Sequence, residues 1–227
     1  MPYYGWNKLV SCEITKTGMK NKMIIESLKE NEILLEKIVI KSLQLTNNKT
    51  QSEFYKLWKE HNTNKYIEVM FNDLKTNIEK YWLNDKYNKD LEKSFNMLYF
   101  EHSGLYGGEF DTFAIDFNYK GNESPIFETM DDRLNYLENI SCLPGCEIPL
   151  LYDLTREIQG KEADFDDWDD LMEIYNLFET TALIESHQTF LKADNEKLFR
   201  DLNFKKPFYF AVGEHDAGAP KLIYVIE

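Results

Sequence analysis

MLYFEHSGLYGGEFDTFAIDFNY, residues 97–119, contains two apolar runs separated by a glycine-rich segment. Over residues 111–119 apolar and polar side chains alternate, which is typical of a strand with one buried face. The preceding run, residues 97–100, is apolar throughout. Because Gly107 and Gly108 lie between the two runs, the segment predicts a β-hairpin.

A second pair of apolar runs lies near the end of the sequence. Residues 208–212 (FYFAV) and 222–226 (LIYVI) flank a segment that contains Gly213, Gly218 and Pro220. Turn-forming residues between two strand-like runs predict another hairpin. We expect this second hairpin to complete the same sheet as the first.

The amino-terminal part of the chain follows a helical period instead. Apolar side chains recur every three or four residues over 22–45 and again over 65–82, interleaved with Glu and Lys. Residues 47–50 (NNKT) predict the end of the first helix. We expect Thr50 or Ser52 to cap a short intervening helix.

The order of these elements predicts the fold class. Helices come before and between the strand pairs, so strand–helix–strand units are scarce. The sequence therefore predicts an α+β fold with a mostly antiparallel sheet, helices packed on it and an N-terminal helical segment. We expect a single domain over residues 1–227, with a helical part over about 20–95 and a mixed strand and helix part over about 96–227.

The charge of the chain is concentrated in its middle. Residues 1–95 contain 16 Lys and Arg against 13 Asp and Glu, a net charge of +3. Residues 101–185 contain 4 basic side chains against 21 acidic ones, a net charge of −17, and residues 186–227 contain 6 of each kind. Such a field attracts basic partners and repels phosphates, which argues against nucleic-acid binding.

The most acidic predicted helix spans residues 161–190. In a helix that turns about 100° per residue, Trp168 shares one side with a set of mostly apolar residues. That set comprises Phe165, Leu171, Met172, Tyr175, Phe178 and Ala182. Four carboxylates share the opposite side, and they belong to Asp166, Asp169, Asp170 and Glu173. We expect Trp168 to point inward and the four carboxylates to point outward.

Two interpretations of these four carboxylates stay open. Charge runs are most often solvated faces. Acidic side chains near a helix N-terminus also stabilise the helix, because they interact with the positive end of its dipole. Like charges three or four residues apart repel, however, so helix stability does not account for four of them on one stripe. In the functional interpretation the stripe binds a basic partner. A calcium loop is disfavoured because Trp168 and Asp169 occupy positions where an EF-hand needs an oxygen ligand and a glycine.

The histidines provide an alternative site. His61 and His187 lie in helical patterns, where a hydrogen-bonded structural role is expected. His102 and His215 each follow an aromatic strand and lie beside an acid and a glycine-rich turn. If the two hairpins are neighbours, the strand ends form a catalytic or metal site of a small hydrolase or metal-dependent enzyme. Its residues would be Glu101, His102, Glu214, His215 and Asp216.

Neither the cysteines nor the glycines indicate a cofactor. Three cysteines argue against a disulfide framework and fit a reducing compartment. Cys142 and Cys146 have zinc-ligand spacing, but a second pair of ligands is not apparent. We expect them to be half-buried thiols beside a turn at Pro144 and Gly145. The glycines of residues 104–108 lack the spacing of a phosphate-binding loop and lead into a strand.

Hydropathy indicates a cytoplasmic protein without a membrane partner. No run approaches the roughly 18 apolar residues that span a bilayer. The first residues also lack the basic start and apolar core of a secretory signal. We therefore expect a cytoplasmic location.

The second half of the sequence resembles a group of bacterial cytoplasmic proteins. The resemblance covers about residues 65–227 and rests on the order of an aromatic strand, a glycine-rich loop, an alternating strand, a long acidic helix and the runs at 198–201 and 208–212. Some members of that group are immunity proteins that accompany polymorphic toxins. The resemblance implies an α+β fold and a binding role, with no catalytic residues.

These observations favour an acidic, non-enzymatic protein-binding module. Its predicted partner is a basic protein, and the resemblance adds a toxin with an anionic substrate as the expected class. The competing hypotheses are the strand-end enzyme described above and a module whose charge serves solubility alone.

Overall fold

The computed structural model describes residues 17–89, 91–103, 109–117, 134–136, 143–160, 168–215 and 220–227. Five α-helices and six strands lie within these ranges. In chain order they are α1 (Thr17–Thr46), α2 (Lys49–Glu60), α3 (Thr63–Asn77), β1 (Phe95–His102), β2 (Glu109–Phe117), β3 (Leu134–Tyr136), β4 (Leu143–Glu147), α4 (Pro149–Gly160), α5 (Trp168–Asn195), β5 (Phe204–Glu214) and β6 (Lys221–Ile226). A π-helical turn, Ile78–Trp82, continues α3.

The six strands form one mixed, mostly antiparallel sheet. Its order is β3-β2-β1-β5-β6, and β4 pairs with β2 on the same edge as β3. Each neighbouring pair is antiparallel except β1 and β5, which run parallel in the centre. The predicted α+β fold, with its antiparallel sheet and N-terminal helix, is confirmed.

Both predicted hairpins are present, and they share this sheet. In the first, Met97 on β1 lies opposite Ile115 on β2. In the second, Phe210 on β5 lies opposite Tyr224 on β6. The hairpins are joined by the parallel pairing of β1 with β5, a long-range contact that alternation within one strand does not reveal.

Helix α5 forms the centre of the helical side. It contacts α1, α2, α3, α4 and β6. Every side chain from Thr180 to His187 is buried, so this part of the helix has no solvent face. Among their polar members, Ser186 donates its hydroxyl hydrogen to the Ala182 carbonyl at 2.8 Å, the His187 Nδ1 atom lies 2.7 Å from the Ile223 carbonyl, and Glu185 is fully buried.

Aromatic side chains fill the space between α5 and the sheet. The ring of Phe210 on β5 lies 5.0 Å from that of Phe190 on α5 and 4.8 Å from that of Phe199, measured between centroids. Phe100 on β1 lies 4.8 Å from Phe190. All four are at most 2% exposed. Burying a large aromatic side chain stabilises a fold by roughly 1.5–3 kcal/mol, so this cluster anchors α5 on the sheet.

The segment around Pro144 and Gly145 differs from the prediction. These residues belong to strand β4 and not to a turn, while Cys146 is buried and Cys142 lies outside the described residues. A Cβ atom on Gly145 would lie 2.6 Å from the Thr112 Oγ1 atom of β2, which explains why glycine stands there. Close approach of two strands therefore determines the residue type.

Side chains of the N-terminal half satisfy the outer edge of β4. The Trp82 indole Nε1–H donates to the Pro144 carbonyl at 2.9 Å, and the Asn77 amide donates to the Gly145 carbonyl at 3.1 Å. The Glu147 N–H donates to the Asp73 carboxylate at 2.7 Å. An exposed strand edge leaves unpaired backbone groups, and these contacts pair three of them.

Two predictions about the helices were wrong: the cap of α2 was misplaced, and α4 was missed. Asn48 caps α2 by accepting a hydrogen bond from the Gln51 N–H at 3.0 Å, whereas Thr50 and Ser52 lie inside the helix. Helix α4 was not predicted, although Pro149 stands at its first position, where the missing N–H costs nothing. None of the described helices combines the length and the hydropathy needed to cross a membrane.

Candidate functional site

The predicted acidic stripe lies at the start of α5. Asp166 lies outside the described residues, and Asp169 and Asp170 belong to the first turn of α5, with side chains that are not described. The Glu173 side chain is half-buried, and its Oε2 atom is buried without a hydrogen bond to the described residues. Met172, predicted to point inward, is 44% exposed because it lies at the border of the buried stripe.

The face of α5 that carries these acids continues beneath the N-terminal helices. On an ideal helix, Glu173 is followed on the same face by Leu177, Thr180 and Ile184, which are all buried. The Asn31 amide of α1 donates to the Thr180 hydroxyl at 3.1 Å. One stripe therefore combines two environments: it is acidic at its beginning, and α1 covers it farther along.

Some lysines of the N-terminal helices pair with carboxylates of the same helices. Within α2, Lys56 and Glu60 form an i,i+4 pair at 3.8 Å. Lys59 of α2 lies 2.7 Å from Glu36 of α1. Part of the positive charge of the N-terminal helices is thus compensated within those helices.

The sheet brings the ends of β1 and β5 together, as the histidine hypothesis required. The His215 N–H donates to the His102 carbonyl at 2.8 Å. The His215 Nδ1 atom lies 3.0 Å from the Glu101 Oε2 atom, and the Tyr99 hydroxyl donates to Glu101 Oε1 at 3.2 Å. This His–Glu pair is open to water, with side chains 63% and 21% exposed.

The two histidines nevertheless lie on opposite faces of the sheet. Because side chains alternate along a strand, Glu101 and His102 point to opposite sides. His102 is 2% exposed and contacts the Phe110 ring edge-on, at 5.9 Å between centroids. Burial lowers the pKa of His102 to about 4, Lys221 acts in the same direction, and Glu179 opposes it.

The acids of the alternative site are divided in the same way. Glu214 lies on the helical side, where it accepts a hydrogen bond from the Tyr175 hydroxyl at 2.7 Å. Asp216 lies outside the described residues. Among the side chains that the structure describes, no three His, Cys, Asp or Glu residues are grouped so as to hold a metal ion. Among the described residues, the predicted site is therefore divided between the two faces of the sheet: Glu101 contacts His215 on one face, and His102 lies beside Glu214 on the other.

A second histidine–glutamate pair lies in the helical core. His61 forms the two-residue elbow between α2 and α3 together with Asn62. Its Nε2 atom lies 3.5 Å from the Oε1 atom of Glu185 on α5, and the side chains are 11% and 0% exposed. Burial raises the pKa of Glu185, while His61 and the Thr63 hydroxyl oppose that rise.

Sequence reasoning assigned His61 a structural role and did not single out Glu185. The available signal was its position: over residues 174–190 the charged side chains are Glu179 and Glu185 alone, in an otherwise apolar and small polar stretch. Charged residues are rarely buried in full unless paired. A carboxylate in such a stretch predicts a buried partner, although helical periodicity does not identify that partner.

Comparison with protein-family models, with curated proteins and with solved structures found no match for this chain.

Proposed function

We propose that this protein is a binding module whose acidic middle segment docks on a basic protein. The observation that carries the proposal is the charge count, since residues 101–185 have 21 acidic side chains and 4 basic ones. Complete internal pairing would still leave an excess of 17 carboxylates. Residues 1–95 offer a net charge of only +3, and three of their lysines form i,i+4 pairs within the N-terminal helices.

The proposed contact residues are Asp166, Asp169, Asp170 and Glu173, and the last three belong to the beginning of α5. They precede the part of the helix that α1 covers, so the stripe is anchored to the most buried helix of the described fold. Binding residues held on a rigid element lose less conformational entropy when a partner docks.

The resemblance to immunity proteins suggests the class of partner. A toxin that acts on an anionic substrate has a positive active site, and an acidic inhibitor covers such a site directly. Complementary fields accelerate association by roughly 10–10³-fold at low ionic strength. We therefore propose a basic toxin as the partner and electrostatic steering as the main source of the association rate.

Charge neutralisation at constant shape tests this proposal. The full-length chain is compared with a variant carrying Asp166→Asn, Asp169→Asn and Asp170→Asn. A control variant carries Glu26→Gln, Glu30→Gln and Glu196→Gln, which are exposed positions outside the acidic segment. Each protein is immobilised, and basic proteins retained at low salt are purified for stopped-flow measurement of association.

We expect the association rate of the unmodified protein to fall steeply as ionic strength rises. The aspartate variant should associate about tenfold more slowly at low salt, whereas the control should match the unmodified chain. An association rate that does not respond to salt, or an aspartate variant that behaves like the control, would contradict the proposed docking surface.

A further inference from the structure

The His61–Glu185 pair is a buried acid–base site at a junction of helices. Glu185 lies in the middle of α5, and His61 reaches it from the turn between α2 and α3. Neither carboxylate oxygen of Glu185 has a hydrogen bond of normal geometry within the described residues. A buried charge without full compensation is costly, so the protonation state of this pair affects how the elbow docks.

The contacts of the imidazole restrict the exchangeable proton to one nitrogen. The Nδ1 atom of His61 lies against the Trp58 carbonyl, which accepts only, so Nδ1 carries hydrogen in both states. The Nε2 atom lies 2.9 Å from the Thr63 Oγ1 atom and 3.5 Å from Glu185. With a proton, Nε2 donates toward the Glu185 carboxylate; without one, it accepts from the Thr63 hydroxyl.

Groups on α1 and α3 also affect the protonation of the His61–Glu185 pair. Glu32 of α1 accepts a hydrogen bond from the Thr181 hydroxyl at 2.6 Å, and its negative charge also acts on His61 and Glu185. Tyr66 of α3 stacks on the His61 ring at 6.0 Å between centroids.

Helix α4 provides the remaining charged neighbours. Asp153 accepts a hydrogen bond from the Tyr66 hydroxyl and pairs with Arg156 at 3.2 Å. Glu32 is thus a second carboxylate that acts on Glu185, while Asp153 lies beyond Tyr66 and is already paired with Arg156. A bare Glu185 carboxylate is poorly compensated once His61 loses its proton.

We propose that His61 and Glu185 form a proton-sharing latch that holds the α2–α3 elbow on α5 and releases it as the pH rises. In the closed latch the pair holds at least one proton, either as an ion pair or as a carboxylic acid beside a neutral imidazole. Loss of that proton leaves a negative charge in the helical core. Solvation of this charge favours opening of the elbow.

The direction of the pH effect follows from both groups. Burial alone would lower the pKa of His61, but Glu185, the Trp58 carbonyl and Glu32 outweigh it and raise that pKa. The pKa of Glu185 is also raised. Groups with raised folded pKa values contribute stability below their unfolded values, and they lose it as the pH rises through the folded values. Loss of one proton increases the opening constant up to tenfold per pH unit.

Hydrogen–deuterium exchange of the full chain between pH 6 and pH 9 tests the latch, after correction for the intrinsic exchange rate. We expect the opening constant of residues 49–77 to rise up to tenfold per pH unit from about the ordinary histidine pKa of 6.5, and to level off above the pKa of His61 in the folded protein. Glu185→Gln keeps the side-chain shape and removes the titrating charge, so its profile should be flat. His215→Gln, which removes an exposed histidine, should retain the slope of the unmodified protein.

A titration of the unmodified protein provides a test that does not depend on variant folding. The Cε1–H proton signal of His61 should titrate above the ordinary histidine pKa of 6.5, and its midpoint should coincide with the pH at which the rise in the opening constant levels off. A midpoint below the ordinary value overturns the latch. An exchange profile without a pH slope, or an equal slope in Glu185→Gln, also overturns it.

Discussion

Two histidine–glutamate pairs with similar separations lie in opposite environments of this protein. The His61–Glu185 pair, at 3.5 Å, is enclosed by helices, with side chains 11% and 0% exposed. The Glu101–His215 pair, at 3.0 Å, is at the end of the sheet, with the imidazole 63% exposed. The Glu101–His215 pair has the shorter distance, but we expect it to contribute less to the free energy of unfolding, because water screens its charges. Burial, more than distance, determines the effect of each pair.

Removal of one member of the buried pair should have the largest effect. His61→Ala leaves Glu185 without its counter-charge in the helical core, so we expect the free energy of unfolding at pH 6 to fall by about 3–5 kcal/mol. Urea denaturation measures this change. The double variant His61→Ala with Glu185→Gln should recover much of the loss, because it removes the uncompensated charge. A double variant as unstable as His61→Ala would attribute the loss to packing alone.

The pH dependence of His102 should have the next largest effect. Its pKa is lowered from 6.5 to about 4 by burial, so the folded state disfavours the charged ring. Its contribution to stability is complete above pH 6.5 and is lost as the pH falls toward 4, by up to about 3 kcal/mol.

The variant His102→Phe isolates this contribution. Its free energy of unfolding should decline less between pH 6.5 and pH 4 than that of the unmodified protein, measured by urea denaturation at each pH. His187, whose pKa burial also lowers, acts in the same direction and remains in both proteins. Equal declines would show that His102 accepts a proton in the folded state without cost. His61 and His102 therefore give opposite pH responses within one helical core.

Disruption of the exposed pair should have the smallest effect. His215→Ala and Glu101→Gln should each reduce the free energy of unfolding by less than about 1 kcal/mol, and added salt should diminish the difference. Urea denaturation at two ionic strengths provides the measurement. A loss comparable to that of His61→Ala would contradict the dominance of burial in this comparison.

Local patterns in the sequence predicted much of the fold. Alternation over residues 111–119 and the paired apolar runs near the end of the chain predicted both hairpins, because each hairpin is formed by neighbouring segments. Helical periodicity predicted α1 and α3. The cap of α2 was misplaced by a few residues, since Asn, Thr and Ser are all suitable N-cap residues and lie close together there.

Long-range contacts account for what the sequence did not predict. The parallel pairing of β1 with β5 joins Tyr99 to Ala211, and only this pairing shows that Glu101 meets His215. The contact of His61 with Glu185 likewise requires the docking of the α2–α3 elbow on α5. Glu185 stands out as a charge in a mostly apolar stretch, but periodicity along the chain does not identify His61 as its partner.

The position of α5 has a consequence for the order in which the protein acquires structure. Trp58 on α2 donates its indole N–H to the Thr181 hydroxyl on α5, 123 residues later in the chain. During synthesis the N-terminal helices therefore emerge from the ribosome well before the helix that buries their apolar faces. Contacts of such sequence separation slow folding, because closing a long loop costs entropy before the contact forms. The nascent chain exposes the apolar faces of these helices until α5 has been synthesised. Chaperones would act on the chain during this interval.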